Sequence, residues 1–413
     1  RYGSSGATGD TAATIETLLS SNYVDPDAPD PDLYPRGMLL WNTRRSGFNV
    51  KKFVASQIDI TANSGKNTRF GDEAMAAYKT ARWIGWNTTK EDGSGLFGRH
   101  AQRQTIIAGL KSAVDSNELL RDEETRNFTL LSAPGYPELT SNLIGLNVDR
   151  GLTGFVVADT PFRLLPNATS LQNWGNNTAG ATTDGEDGMV SYDEYMAAFY
   201  PSGLTTDVTG KNIVVPPSHM MLRTIAVSDA VSFPWFAPAG TRRGGISNAS
   251  SVGYIDSEGE FNAVALNDGV RETMSGVKIN PLTFITGSGL VNFGQHTRAK
   301  NASSLDRINV ARLVAYLRRQ MTLLAKPFMF EPNDKITRDE IKQATESLLL
   351  ELVGQRALYD FLVVCDDTNN TPARIDRNEL YVDVAIEPVK SVEFIYIPLR
   401  LKNTGEIATL GNQ

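Results

Sequence analysis

Cysteine occurs once in the 413 residues, at Cys365, so no disulfide can form within the chain. A disulfide-stapled secreted scaffold is thereby excluded, and synthesis in a reducing compartment is expected. Histidine is nearly as scarce. His100, His219 and His296 are the three present, with no pair at helical metal-binding spacing and no cysteine cluster, so a zinc site would need ligands from remote loops. No apolar run approaches the roughly 18 residues of a membrane helix, and no basic segment followed by an apolar one opens the chain. A soluble protein is expected. Forty Lys and Arg against 47 Asp and Glu give a net charge of -7, with no block of consecutive Lys or Arg. That balance argues against a broad nucleic-acid-binding surface. Neither a nucleic acid nor a membrane is predicted as a partner.

The motifs of catalysis are equally thin. There is no G-x-S-x-G nucleophile elbow, and GSG at 287–289 lacks the flanking pattern. Sequence order alone leaves a Ser-His-Asp arrangement open. GTRRGG at 240–245 has neither the spacing nor the Lys-Ser/Thr of a P-loop, so it reads as a structural turn presenting basic groups. TDGEDGMVSYDE at 183–194 places Asp187, Gly188, Val190 and Glu194 like the second half of a calcium loop, but Thr183 and Gly185 stand where the first ligands belong. An acidic surface turn is the expectation. The chain is predicted to have no catalytic residues, no metal and no cofactor.

What is present is a long, well-patterned chain. Its size calls for two domains, since single cores stop growing near roughly 250 to 300 residues. The chain starts at Arg1 in a Gly/Ser/Thr stretch, which suggests that residues upstream are missing. Helices are predicted at 12–20, 103–115 and 138–148, and strands at GMLLWN, FNVKKFVA, 127–132 and 154–159. GFVVAD at 154–159 is a continuous apolar run of the kind buried on both faces of a parallel sheet. The Asn/Gly/Thr/Asp-rich region 166–210 is expected to be a surface insertion. Then VPPSHMMLRTIAVSDAVSFPW carries a helix with Met220, Met221, Ile225 and Val227 toward a core, and FPWFAPAGTRRGGI at 233–246 reads as an ordered loop. Residues 306–324 give an amphipathic helix, with Leu313, Leu317, Met321 and Leu324 on one face and Arg312 largely elsewhere. A second helix is predicted from a capping box at Thr337 to Glu340. DFLVVCD, LYVDVAI and VEFIYIPLRL follow as strands, the second alternating so that Leu380, Val382, Val384 and Ile386 share a buried face. The expected fold is an α/β core domain over 1–245, then an α+β C-terminal domain over 246–413 that includes a terminal arm, 391–413.

Five ordered segments give the chain a resemblance to a known family. FPWFAPAGTRRGGI, INPLTFITGSGLVNFGQHTR (279–298), DRINVARLVAYLRR (306–319), FEPND (330–334) and VVCDDTNNTPARIDRNELYVDVAIEPVKSVEFIYI (363–397) resemble, in order and spacing, the sheath proteins of contractile phage tails. The likeness covers residues 190–402 well, and its wording is nearest to sheaths of large myoviruses. The family's N-terminal arm is not evident. The resemblance implies a core of subtilisin-like shape without a protease site. It also implies a non-enzymatic subunit that forms stacked, sixfold rings around a tail tube in the virion, is assembled in the host cytoplasm, and contracts to drive the tube through the host envelope. Partners so implied are further copies of the chain, the tube protein, and baseplate and terminator proteins. The same motifs are shared by bacterial contractile injection systems and tail-like bacteriocins; an α/β hydrolase is the rival from another class.

The last strand carries a physical argument of its own. In VEFIYIPLRL, Ile395, Ile397, Leu399 and Leu401 share one face and Phe394, Tyr396 and Arg400 the other, while Pro398 lacks an N–H and suits an edge. Such a terminal strand is an aggregation hazard when free and a joint when a neighbour supplies the pairing edge. A hairpin back onto LYVDVAI is as compatible with the local residues as exchange; the family resemblance favours exchange. Strand exchange is therefore expected through Val392, Phe394, Ile395, Tyr396, Ile397, Leu399 and Leu401, with Val382 and Val384 receiving a neighbour's arm. Lys335, Arg338 and Lys342 are the candidates for gripping an acidic tube, against the alternative of a solvated basic helix surface.

Overall fold

A computed structural model describes residues 97–256 and 260–393, together with β1 (Phe53–Val54) and β2 (Trp83–Ile84), which pair antiparallel. The expected helix at 12–20, the strand GMLLWN and the end of the chain from Phe394 lie outside the described residues. Two compact units are formed: Arg1–Pro234 with Pro238–Gln320, and Trp235–Ala237 with Met321–Gln413.

The strands of the first unit continue as β3 (Leu130–Leu131), β4 (Phe155–Asp159), β5 (Met196–Tyr200), β6 (Ser202–Thr206), β7 (Asn212–Val215), β8 (Ser251–Ile255), β9 (Phe261–Ala263), β10 (Ile279–Ile285) and β11 (Gly289–Asn292). Its helices are α1 (Phe97–Asp115), α2 (Thr140–Asp149), α3 (Ala168–Gly175), α4 (Pro217–Val231), α5 (Asp268–Gly276) and α6 (Ile308–Ala325), whose last residues, from Met321, fall in the second unit. β3, β4, β5 and β10 lie parallel in that order, and β11 closes the sheet antiparallel to β10. A second sheet, in the order β7-β6-β8-β9, is antiparallel throughout.

Burial explains the apolar run at β4. Val156 and Ala158 join Met196, Ala198 and Tyr200 in a core with Leu143, Leu146, Leu171, Trp174 and Met274. Phe155 and Val157 point the other way, with Ala197, Phe199, Met220, Met221, Ile225, Ile308 and Ala311. The two-residue alternation of the strands thus feeds two layers of helices.

Four expectations change here. Val227 does not face the core: the inward positions of α4 are 220, 221, 224, 225 and 228, and Val227 falls off that helical stripe into solvent. Region 166–210 is more than a surface insertion, because α3 buries Leu171 and Trp174, and every residue of β5 is buried in mid-sheet. Its polar composition belongs to the intervening loop, which folds on its own side chains. There Asn177 exchanges two hydrogen bonds with Ala181, and buried Asp184 accepts from the backbone N–H groups of Val190 and Ser191 at 2.7 and 2.8 Å and from the Ser191 hydroxyl at 2.5 Å. Arg312 is buried, with its guanidinium held on both oxygens of Asp229. As for the expected 245/246 boundary, it falls inside the first unit, where β10, after it, is hydrogen-bonded to β5, before it.

Asp159 ends β4 fully buried. Its carboxylate accepts from Gly135 N (2.7 Å), Ser218 N (2.6 Å) and Ser218 Oγ (2.8 Å), tying the sheet to the first turn of α4. Burial pushes its pKa up to about 6, although all three donors oppose the rise. A carboxyl group that binds its proton more tightly in the folded state loses stability as pH rises from its ordinary value through about 6. At about 1.4 kcal/mol per pKa unit, the first unit should lose about 2 kcal/mol between pH 4.5 and 7.5 from this group alone. Urea denaturation at both pH values should show that component in the native chain and not in Asp159→Asn.

In the second unit, α7 (Lys335–Gly354) leads into β12 (Leu358–Val364), which pairs antiparallel with β13 (Asp383–Pro388). The helix begins two residues before the expected Thr337. Asp334 is its N-cap and accepts from Thr337 N at 2.9 Å, so the residue expected to cap is the one capped. Trp235 is buried in this unit, its Nε1 donating to Gln355 O at 3.2 Å. Among the described residues no helix is long and apolar enough to cross a membrane.

Candidate assembly interface

β12 and β13 form a sheet of two strands, and among the described residues neither has another partner. Two strands alone are marginal in water and need a covering layer. α7 packs against β12 and supplies one, with Ile341, Leu349 and Leu352 buried on the helix and Leu358 and Val363 buried on the strand. Among the described residues the opposite surface has no such cover: Leu362 is 62% exposed and Tyr359 65%. The buried face expected for LYVDVAI is half realised, since Val384 is 38% exposed and Val382 and Ile386 are partly buried. A strand with a neighbour on only one side leaves its outer flank open.

A loop of side-chain hydrogen bonds joins the two strands. Asn369 Nδ2 donates to Val364 O (2.7 Å) and Asp383 Oδ2 (2.9 Å), and its Oδ1 accepts from Asp366 N (3.0 Å). Asn370 exchanges two bonds with Tyr381, Nδ2 to its carbonyl at 2.9 Å and Oδ1 from its N–H at 2.7 Å. The Arg374 guanidinium donates to Asn369 O and lies 3.8 Å from the Tyr381 ring centre. From the other side, Asn333 Nδ2 reaches Glu379 O at 2.9 Å. The segment DDTNNTPARIDRNELY is thus a built connection. Its Asn pair could have been found from sequence, as the Asn carboxamide, like that of Gln, matches a peptide group in both donor and acceptor.

The three tube candidates separate. Lys335 is exposed and Lys342 half-buried, but Arg338 is buried and donates to Asp367 Oδ1 at 2.9 Å, so it ties the start of α7 to the loop that follows β12. At the same end of α7, Phe330 is 100% exposed with φ +72, a feature with no signal in the apolar patterning. Of the terminal arm, Val392 is 77% exposed and 391–393 form no strand. Phe394, Ile395, Tyr396, Ile397, Leu399 and Leu401 lie outside the described residues.

The hydrolase alternative meets a specific obstacle in the first unit. Ser275 Oγ is 2.9 Å from His296 Nε2, as a nucleophile and base would be. The other ring nitrogen, Nδ1, lies 3.1 Å from Arg307 Nη1, which can only donate. Nδ1 must therefore accept, the ring hydrogen sits on Nε2, and His296 donates to Ser275 instead of taking its proton. Asp184 is likewise saturated by its own loop, and among the described residues no group of three His, Cys, Asp or Glu could hold a metal ion.

Residues 300–402 match the phage tail sheath C-terminal domain family. This part of the chain is similar to that domain. The matched region contains α7, β12, β13 and the clamp between them. The tail sheath protein of Vibrio phage KVP40 is 36% identical over 185 residues, 45% of this chain and 26% of the relative. That of Enterobacteria phage T4 is 29% identical over 263 residues, 64% of this chain and 36% of the relative. The chain therefore aligns with well under half the length of either sheath protein. In fold it is similar to an extracellular contractile injection system, the PVC sheath complex in its contracted state, with TM-score 0.55, 21% identity, and 73% and 75% of the two chains covered. The helical sheath of the anti-feeding prophage, also contracted, gives TM-score 0.53 and 20% identity over 70% of this chain and 76% of that one. The curated relatives are sheath proteins and not enzymes.

Proposed function

We propose that this chain is a structural, non-enzymatic subunit of a contractile phage tail sheath that polymerises around a tail tube and contracts to drive the tube through the host envelope during genome ejection. The observation that carries the proposal is the sheath-family match over residues 300–402, which falls on the two-stranded sheet with an open outer flank. Its partners are copies of itself in stacked sixfold rings, the tube, the baseplate and a terminator. The subunit is assembled in the host cytoplasm and resides in the virion tail. A terminal arm from one copy, residues 391–413, adds a strand to the sheet of another, and main-chain hydrogen bonds let neighbours swing without separating. Contraction is then relaxation from one packed lattice to another that buries more complementary surface. Lys335 and Lys342 are the residues offered to an acidic tube. The subtilisin-like shape of the core is carried from the family resemblance.

A bacterial contractile injection system is the second reading, favoured by the fold similarity to the PVC and anti-feeding prophage sheaths. The curated relatives from phages KVP40, T4 and ViI support the phage reading over it. Negative-stain micrographs of the concentrated chain test the proposal. Rings or tubes are expected from the intact chain, and soluble, folded protein without tubes once 391–413 is deleted. Tubes that persist after the deletion reject exchange through this terminus, and a chain extended to the length of its curated relatives that is monomeric at every concentration rejects the sheath assignment.

A further inference from the structure

Cross-strand partners share one face of a sheet. In the second unit the pairs Phe361–Ile386 and Val363–Val384 therefore lie on the side where α7 packs, and Asp360–Glu387, Leu362–Ala385 and Val364–Asp383 lie on the other. Tyr359 is the extra residue of the bulge between Leu358 and Asp360, and its exposure sets it on that other side. β12 and β13 carry three carboxylates and no basic residue. All three, Asp360, Asp383 and Glu387, are exposed around Leu362 and Tyr359 on the face that is bare among the described residues. A two-stranded sheet with a helix on one side only is an incomplete stack of layers. An apolar centre ringed by carboxylates fits an apolar surface with cations at its margins.

The first unit presents such a surface. While α4 buries Met220, Met221, Thr224, Ile225 and Ser228, its other side exposes Ala226, Val227, Ala230 and Val231 at the spacing of a single helical stripe, with Val227 52% and Val231 81% exposed. Arg223 is exposed one turn before Val227. Just past the helix, Arg243 Nε donates to Ser232 Oγ at 3.0 Å, and its neighbour Arg242 is exposed. Asp229, the acid on this helix, is held on both oxygens by Arg312. The stripe is thus apolar in the middle and positive at both ends.

We infer that the α4 stripe of one copy docks on the bare face of the β12–β13 sheet of a second copy, where it forms the missing layer opposite α7. The occupant is a second copy because both surfaces are exposed within one chain and each supplies the charge that the other lacks. The dimensions agree: Arg223 to Val231 rises about 12 Å along the helix, and Tyr359 to Val364 extends about 17 Å along the strand. Two different patches join head to tail, so each docked copy keeps one of them free, and the contact builds rings or helical filaments instead of closing on a pair. The inference rests on the self-assembly proposed above but not on the terminal arm, since it uses the face of the sheet.

Disulfide trapping on the intact chain tests this, because the native thiol, Cys365, is buried. Val227→Cys and Leu362→Cys each change an exposed side chain and leave the cores alone. Mixed in equal amounts and oxidised with copper phenanthroline, the two variants should form a covalent dimer at least about 10-fold faster than either does by itself, because docking raises the effective concentration of one thiol at the other. Val208→Cys, exposed on the turn between β6 and β7, is the control partner for Leu362→Cys. Adding Asp360→Lys and Glu387→Lys to the Leu362→Cys chain should slow trapping by about 10-fold, and Arg223→Glu in the Val227→Cys chain should restore part of that loss. Mixed trapping no faster than the Val208→Cys control overturns the inference; tubes in micrographs of the same chain would then leave the self-assembly reading standing on other contacts. Trapping of Val227→Cys with itself at the mixed rate also overturns it, since α4 would then be pairing with α4.

Discussion

Replacing Arg298 with methionine is expected to cost the first unit about 3 to 5 kcal/mol. The side chain is fully buried, and its guanidinium donates to Val277 O at 2.7 Å and Gly175 O at 3.1 Å. Gly175 is the last residue of α3 and Val277 the C-cap of α5, so one cation serves the carbonyl ends of two helices, where the backbone dipoles are negative. The Tyr192 ring lies 4.5 Å from the guanidinium carbon. Burial lowers the pKa of Arg298, and Tyr192 and Asp184 pull it back. Methionine fills much of the volume but leaves both carbonyls buried and unpaired, and that loss dominates the cost. Lysine keeps the charge but is a point donor in place of a fork, so Arg298→Lys should lose a smaller part. Urea titration reads the difference as a lower midpoint at unchanged slope. Exposed Arg223→Met should move it by less than about 0.5 kcal/mol.

Arg298 also marks what the sequence could and could not disclose. The strands and helices with strong periods were legible: GFVVAD gave β4 to within a residue, and 306–324 gave α6 nearly intact. Periodicity reports which face is apolar, and so it found the two cores. It says nothing about which polar residue turns inward, because Arg298, Arg312 and Asp159 are buried by partners distant in the chain. The same blindness placed Arg338 among surface cations, although a helix position one turn from Asp334 and close to Asp367 in the fold made it internal. β5 was hidden for a different reason. MAAFY is short and follows an Asn/Gly-rich loop, and composition averaged over the region masked a fully buried strand. In the second unit the alternation of LYVDVAI was visible, but the exposure of Val384 depends on how many strands the sheet contains, a tertiary fact.

Trp235→Ala should destabilise the second unit by about 3 to 5 kcal/mol and leave the first unit's transition in place. The residue belongs to a three-residue stretch, Trp235–Ala237, that joins the second unit while the chain on both sides joins the first. Its indole is buried and Nε1 donates to Gln355 O, at the C-cap of α7. There the chain turns through Arg356, at φ +63, into β12. Trp235 therefore pins the corner from which β12 departs. Truncation removes a large apolar side chain and an acceptor's partner from a unit whose sheet has only two strands among the described residues, so few other contacts can absorb the loss. Trp235→Phe keeps most of the apolar area and should cost roughly 1 to 2 kcal/mol, chiefly the lost hydrogen bond and imperfect packing. Hydrogen exchange separates the units: faster exchange confined to α7, β12 and β13 is expected. Acceleration across β4 and β5 instead would mean that Trp235 supports the parallel sheet. In the expected case β13 loses its register on β12 while the first unit stays intact.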